Sequence, residues 1–405
     1  MASPTRTAAL ALLLAVLQSR RPLEEALDAL PPMPPRDRAA GHRIAATVLR
    51  RMGSLDAALE PWLKREPPPE VRHALRIGAA ELLLLGTPPH AAVSDCVALV
   101  PRPFAGLVNA VLRRVSEAGV AALDGLDGPR LDTPSWLWSA WHATHGPAVR
   151  AIAAAHGHEA PLDLSLKPGV VVEGATMLPS GTARMPVGTR ITDLPGFAEG
   201  NFWAQDAAAS LPVRLLAPRP GERVLDLCAA PGGKTAQLAA AGAQVVAVER
   251  ERKRAERLHE NLSRLGLPAD IVIADALSWN PGTLFDAVLL DAPCTATGTI
   301  RRHPDVVHLK KLQDVERQAA QQRELLAAAL RWVRPGGRLV FATCSLQGEE
   351  GEAHFPDGLD PVRPEEVPGL EGAITAQGAL RTRPDLWAEH GGMDGFFIAR
   401  LRISA

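Results

Sequence analysis

Beyond Pro220 the sequence alternates short β-branched runs with helical segments, and this rhythm constrains the fold more than any other feature. Arg223 to Cys228, Gln244 to Glu249, Asp270 to Asp275, Asp286 to Asp291 and Arg338 to Thr343 read as strands with helical stretches between them. Such alternation predicts a parallel sheet covered by helices on both faces, with a ligand site at the carboxyl ends of the strands. Phe396 to Leu401 is expected to add a late antiparallel strand at the edge.

The N-terminal third has a different texture. From Ala8 to about Gly119, helical patterns are separated by proline clusters at 31–35, 67–69, 88–89 and 101–103, and strand signals are absent. Val71 to Leu85 and Leu107 to Val115 place apolar residues at helical spacing, so an all-α bundle is expected. The pairs Arg50-Arg51 and Arg113-Arg114 fit solvated helix faces, with an RNA-facing surface as the alternative. With 405 residues, the chain divides into a helical domain at 1–125, a Gly/Pro-rich linker and small connecting subdomain at 126–210, and an α/β domain at 211–405. Trp136, Trp138 and Trp141 read as packing anchors of a linking helix rather than base-stacking groups.

Composition narrows the class. Hydrophobic residues at 46% and charged residues at 22% describe a soluble globular chain and exclude disorder, collagen and coiled coil. The net charge of −1 says nothing for or against nucleic acid, because a basic patch can hide in a balanced total. Four scattered cysteines, Cys96, Cys228, Cys294 and Cys344, make neither a disulfide scaffold nor a CxxC metal pair, so a reducing cytoplasm and no metal are expected. The apolar run Ala8 to Leu17 is too short to span a bilayer and lacks a cleavage site, so it reads as a buried helix and no membrane partner is expected.

The stretch Val224 to Thr235, VLDLCAAPGGKT, is a strand, a small-residue turn and a helix start, a combination that lets a ligand approach the backbone closely. A phosphate loop is excluded because Cys228 stands where GxxxxGK[ST] requires glycine, and the GxGxxG fingerprint is also unmet. Instead, acids end the next three strands: Glu249, Asp275 and Asp291. Glu249 follows Gly232 by 17 residues, close to the spacing at which a carboxylate takes ribose hydroxyls.

The stretch Asp226 to Thr235, together with Asp291-Ala292-Pro293-Cys294, Thr295 to Asp305, Ala342-Thr343-Cys344-Ser345 and Asp394-Gly395-Phe396-Phe397, resembles the RNA cytosine-5 methyltransferases. Within them it is most similar to the bacterial 16S ribosomal RNA branch of the RsmB (Sun or Fmu) type, and the N-terminal part resembles that branch's NusB-like RNA-binding domain. The resemblance implies an all-α NusB-like domain before a Rossmann-like class I methyltransferase sheet, with S-adenosyl-L-methionine as cofactor. It implies that Cys228, Ala229, Ala230, Pro231, Gly232, Gly233 and Lys234 wrap the methionine and ribose, that Glu249 holds the ribose, that Asp275 faces the adenine, and that Asp291 lines the passage to the base. Where the family often has Asp, this chain has Glu249. The acidic run after Cys344 survives as Glu349, Glu350 and Glu352, while 354–372 is shortened and proline-rich.

Carbon 5 of cytosine is a poor nucleophile, so its methylation requires prior thiolate addition at carbon 6. The residues alone leave Cys294 and Cys344 open for that role. The family pattern assigns the nucleophile to Cys344 and assistance in release to Cys294, with Asp291 contacting the base edge. Arg301, Arg302 and His303, just beyond the Pro-Cys loop, are expected to meet phosphate or base. The enzyme is expected to be a monomer whose partner is 16S rRNA or a small-subunit assembly intermediate. A tRNA-directed enzyme and a non-catalytic assembly factor are the competing readings.

Overall fold

The computed structural model describes residues 3–404. It divides into two compact units. One comprises the described residues through His158 together with Ile300–Lys311, and the other comprises Glu159–Thr299 with the described residues from Leu312 onward.

Among the described residues of the first unit, all the regular structure is helical. The proline clusters prove to be helix starts, since Pro35, Pro69 and Pro89 open the helices Pro35–Arg50, Pro69–Leu83 and Pro89–Ala98. Proline suits this position because its missing N–H would have no intrahelical acceptor there. Leu12, Leu13, Leu49, Leu55, Leu75 and Leu112 form the buried core. Across it, Arg6 makes a buried bidentate pair with Glu81 at 2.6 and 2.7 Å and also meets Asp95. Burial, reinforced by Glu81, pushes the nearby Cys96 thiol well above its ordinary range.

This unit extends past the expected boundary at residue 125. Asp132 accepts from Arg51 Nε at 2.8 Å and from Ser54 N and Oγ at 2.7 Å, which fastens the following segment to the helix Met52–Leu59. In the helix Ser135–His145, Trp141 is buried, as expected of an anchor, while Trp138 lies under the guanidinium groups of Arg130 and Arg150.

Within the segment expected as linker and small connecting subdomain, an antiparallel sheet joins the second unit, with β1 (Leu162–Leu166), β2 (Thr176–Met177), β3 (Ala183–Met185) and β4 (Phe202–Ala204) in the order β2-β3-β1-β4. A buried Arg184–Asp163 pair, at 2.6 and 2.7 Å, locks β3 to β1.

The main sheet contains β5 (Arg223–Leu227), β6 (Gln244–Glu249), β7 (Asp270–Ile273), β8 (Phe285–Asp291), β9 (Val333–Thr343), β10 (Leu380–Arg381) and β11 (Phe397–Arg402), in the order β10-β11-β9-β8-β5-β6-β7. Strands β5 to β9 pair in parallel, as the alternation predicts, and β11 pairs antiparallel with β9. The edge beyond β11 is taken by the two-residue β10. Val224 to Leu227 are all buried, as befits a central strand covered on both faces. From β5 the chain turns to β6 on one side, and β8 lies on the other. The crevice at their carboxyl ends is therefore the topological switch point, where such sheets bind ligands.

Candidate active site

The loop leaving β5 turns through left-handed backbone at Cys228 (φ 61°) and Gly232 (φ 104°) before the helix Gly233–Ala240 begins. The φ of Gly232 is one that side-chain-bearing residues rarely adopt, and a Cβ there would also press on Leu258 Cδ1 at 2.5 Å, so glycine is required by the backbone first. Cys228 has no such freedom and carries about 1 kcal/mol of strain, a cost found at sites that must present a particular backbone. The loop is tied from outside by Arg254 Nη2 to Ala230 O at 2.8 Å and Asn261 Nδ2 to Pro231 O at 2.9 Å.

Glu249 ends β6 beside this loop and is 3% exposed. Its carboxylate accepts from Glu251 N at 3.0 Å and Ala230 N at 3.4 Å, with the Arg254 guanidinium 3.6 Å away. Asp275 lies two residues beyond the end of β7, because that edge strand pairs only through Ile273. There Asp275 caps a turn, accepting from Leu277 N at 2.9 Å. Beneath the loop, Asp226 accepts from Thr235 Oγ1 at 2.6 Å, while its Oδ1 is buried without a partner. Burial raises the Asp226 pKa to about 7 against the pull of Thr235, with Asp291 adding to the rise. Burial likewise pushes the Cys228 thiol to about 12, aided by Asp291 and Glu249.

The second half of the site is built where β8 and β9 end. Lys234 Nζ bonds Asp291 Oδ2 at 2.7 Å and lies 5.3 Å from the centre of the Phe396 ring. Burial works to lower the Lys234 pKa, but the charge and hydrogen bond of Asp291, with Cys344 and Asp226, hold it above its ordinary value. Cys294 Sγ and Cys344 Sγ are 3.4 Å apart. The hydrogen bond with Cys344, then burial, then the Cys344 and Glu350 charges raise the Cys294 pKa well above its usual range. The intervening backbone is drawn tight, since Gly298 N donates to Cys344 O at 2.9 Å and Gly395 N donates to Gly298 O at 2.8 Å. At Gly298 a Cβ would lie 1.9 Å from Gly395 O. The motifs around 294, 344 and 395 thus meet backbone to backbone.

Arg301, Arg302 and His303 fall in the segment Ile300–Lys311, which folds with the helical unit and not with the unit that carries the cysteines. Arg301 is 3% exposed there and its carbonyl accepts from Arg50 Nη2 at 3.1 Å. The same segment is fastened by Leu23 N to Asp305 Oδ2 at 3.0 Å and by a 2.8 Å contact of His308 Nε2 with Leu49 O.

The acidic run after Cys344 separates into three fates that sequence reasoning missed. Glu349 is exposed, Glu352 pairs with Arg381 at 2.8 and 2.5 Å, and Glu350 is fully buried between the two cysteine loops. The run offers no local spacing to tell them apart. Among the described residues, no helix is long and apolar enough to cross a membrane, and no group of three or more potential metal ligands comes together.

A family model described as 16S rRNA methyltransferase RsmB/F matches residues 213–402, and a NusB family model matches residues 3–117. The ribosomal RNA small subunit methyltransferase B of Xanthomonas campestris pv. campestris is 36% identical over 431 aligned positions, which cover 98% of this chain and 96% of that protein. The chain belongs to this family. The protein of the same name from Pseudomonas syringae pv. tomato is also 36% identical, over 98% of this chain and 96% of its own length. Among solved structures, PH0851 superposes with a TM-score of 0.71 over 99% of both chains at 23% identity, a likeness of fold. A methyltransferase homolog protein from Pyrococcus horikoshii gives a TM-score of 0.56 at 27% identity over 68% of this chain and 96% of its own. The expected fold class, a helical NusB-like part followed by a Rossmann-like methyltransferase sheet, is the one observed.

Proposed function

We propose that this family member methylates carbon 5 of a cytosine in 16S rRNA, using S-adenosyl-L-methionine and a covalent adduct between Cys344 and cytosine carbon 6. The observation that carries the reading is the pair of thiols 3.4 Å apart at the ends of adjacent strands. The cofactor fits the other half of the crevice. The left-handed loop 228–232, the unpartnered Asp226 Oδ1 beneath it and the Glu249 carboxylate beside it match the polar edge of an aminoacyl nucleoside. Cys228 to Lys234 would hold the methionine and ribose, Glu249 the ribose hydroxyls and Asp275 the adenine. Bound there, S-adenosylmethionine supplies an electrophilic methyl group.

The family pattern, Thr-Cys at the end of β9, makes Cys344 the nucleophile and Cys294 its partner. Two thiols 3.4 Å apart do not both ionise, so one sulfur can attack while the other keeps its proton as a donor to it. Addition of Cys344 at carbon 6 makes carbon 5 nucleophilic. Asp291, bonded to Lys234, offers its remaining lone pairs to the exocyclic amine. After methyl transfer, carbon 5 must lose its proton and Cys344 must depart. The Cys294 S–H donates to the departing sulfur and steadies its developing charge.

A non-catalytic assembly factor has no use for the strained loop or the paired thiols. The small-subunit rRNA in the relatives' names favours that substrate over tRNA. The test is RNA carrying 5-fluorocytosine, whose C5 fluorine cannot leave as a proton. Wild-type enzyme should form a denaturation-resistant adduct and Cys344→Ser none, while cofactor binding is kept. An adduct in Cys344→Ser overturns the assignment. Bisulfite sequencing of 16S rRNA and tRNA with and without the enzyme decides the substrate.

A further inference from the structure

We propose that Glu350 is the positioning residue that ties the loop after Cys294 to the loop after Cys344 and thereby sets the spacing of the two sulfurs. The inference rests on the two-cysteine reading above. Thr295 and Ser345 are the residues that directly follow the two cysteines, and both bond the same carboxylate. Oε1 of Glu350 accepts from Thr295 N at 2.9 Å and from Gln322 Nε2 at 3.3 Å. Oε2 accepts from Ser345 Oγ at 2.5 Å and from Thr295 Oγ1. The Glu350 carbonyl also accepts from Thr343 Oγ1 at 2.9 Å, on the other side of Cys344.

The residue before Cys294 is held by the same network. Gln322, itself fully buried, donates Nε2 to Pro293 O at 2.8 Å, and its Oε1 meets His354 Nε2 at 2.8 Å. Each cysteine is therefore gripped on both flanks by groups that converge on Glu350. A fully buried carboxylate is costly, and burial raises the Glu350 pKa against the pull of Ser345 and Thr295. Ordinary packing does not require such a group, whereas joining four donors from three segments at one point does. Its charge, with that of Cys344, also acts on Cys294 and raises its pKa.

The experiment uses full-length protein carrying Glu350→Asp or Glu350→Gln and reads the thiols without RNA. Diamide closes a Cys294–Cys344 disulfide, the two thiols giving up two protons and two electrons and the diamide becoming its hydrazine. Closure is followed by peptide mass. Aspartate keeps the charge but is one methylene too short to reach both loops, and a misplacement of this kind should slow closure by about tenfold or more. Glutamine keeps the reach, because the Thr295 and Ser345 hydroxyls can turn to accept from its amide, so closure should stay within about threefold of wild type. In a Cys344→Ser background, Glu350→Gln should also lower the pH midpoint of Cys294 alkylation by about one unit, since Glu350 is then the charge left facing that thiol. Wild-type closure in Glu350→Asp, or equal slowing in both variants, overturns the proposal, as does an unmoved alkylation midpoint. Absence of a 5-fluorocytosine adduct in wild type would remove the covalent reading while leaving these thiol measurements standing.

Discussion

Replacing Gly298 by alanine puts a methyl group 1.9 Å from Gly395 O and 2.6 Å from its carbonyl carbon. Both are backbone atoms, so no rotamer change relieves the clash, and the two segments must part by about 1.5 Å to restore contact distance. Parting them stretches the Gly395 N to Gly298 O bond and pulls on Gly298 N to Cys344 O. Overpacking of about 1 to 3 kcal/mol plus roughly 1 kcal/mol for a weakened buried hydrogen bond gives about 2 to 4 kcal/mol. For a unit of this size that is a fall in melting temperature of roughly 5 to 15 °C. Because the shift is passed to Cys344 through its own carbonyl, methyl transfer should drop by about 100-fold. Cofactor affinity should hold, as the loop 228–234 is not displaced. Scanning fluorimetry, calorimetric titration of S-adenosylmethionine and incorporation of labelled methyl into RNA measure the three quantities. Gly372→Ala is the control, since nothing lies within 4 Å of a Cβ there. Wild-type melting and turnover in Gly298→Ala would refute the claim that backbone contact positions the cysteine loops.

Cys294→Ala should still transfer the methyl group but stall before elimination, so a methylated protein–RNA complex should persist on a denaturing gel with ordinary cytosine RNA. Its appearance in Cys344→Ser instead would exchange the two roles. Glu249→Ala should weaken S-adenosylmethionine binding by about 1 to 3 kcal/mol through lost charge-assisted hydrogen bonds, and unchanged affinity by calorimetry would reduce Glu249 to a loop brace. Asp226 keeps its proton to about pH 7 when folded but only to about its ordinary value of 3.8 when unfolded, so the native state binds the extra proton between these values. It therefore contributes a loss of stability as pH rises through that window. Asp226→Asn removes this contribution, and its melting temperature should fall less than wild type between about pH 5 and pH 8. An identical pH dependence would show that Asp226 titrates normally.

The parts of the fold legible in the sequence are those governed by local rules. Strands β5, β6 and β8 are legible because each is a short, largely apolar run bounded by turn residues, and the loop 228–232 because its turn is built of small residues around Gly232. The strands of the small sheet at 162–204 are not legible within the expected linker and connecting subdomain, because they are two to five residues long and sit among glycines and prolines. Asp275 missed its strand end because an edge strand has one partner and stops when that pairing stops. No local rule announces that Ile300–Lys311 folds with the helices, since that depends on where Asp305 and His308 find partners about 260 to 280 residues away in sequence. Glu350 is the same case at the site, an acid whose meaning lies wholly in the donors that reach it.

The place of β11 in the sheet bears on when the protein can work at all. Residues 397–402 lie between β9 and β10, and Gly395 closes the backbone contact that holds the Pro-Cys loop. A ribosome making this chain delivers both cysteines long before it delivers that strand, and β9 meanwhile offers an unpaired edge. Until residues 394–402 have emerged and inserted, Cys294 and Cys344 lack the support that presents them. The backbone contacts that draw the two cysteine loops together are therefore completed in one late step, and a prematurely ended chain lacks them.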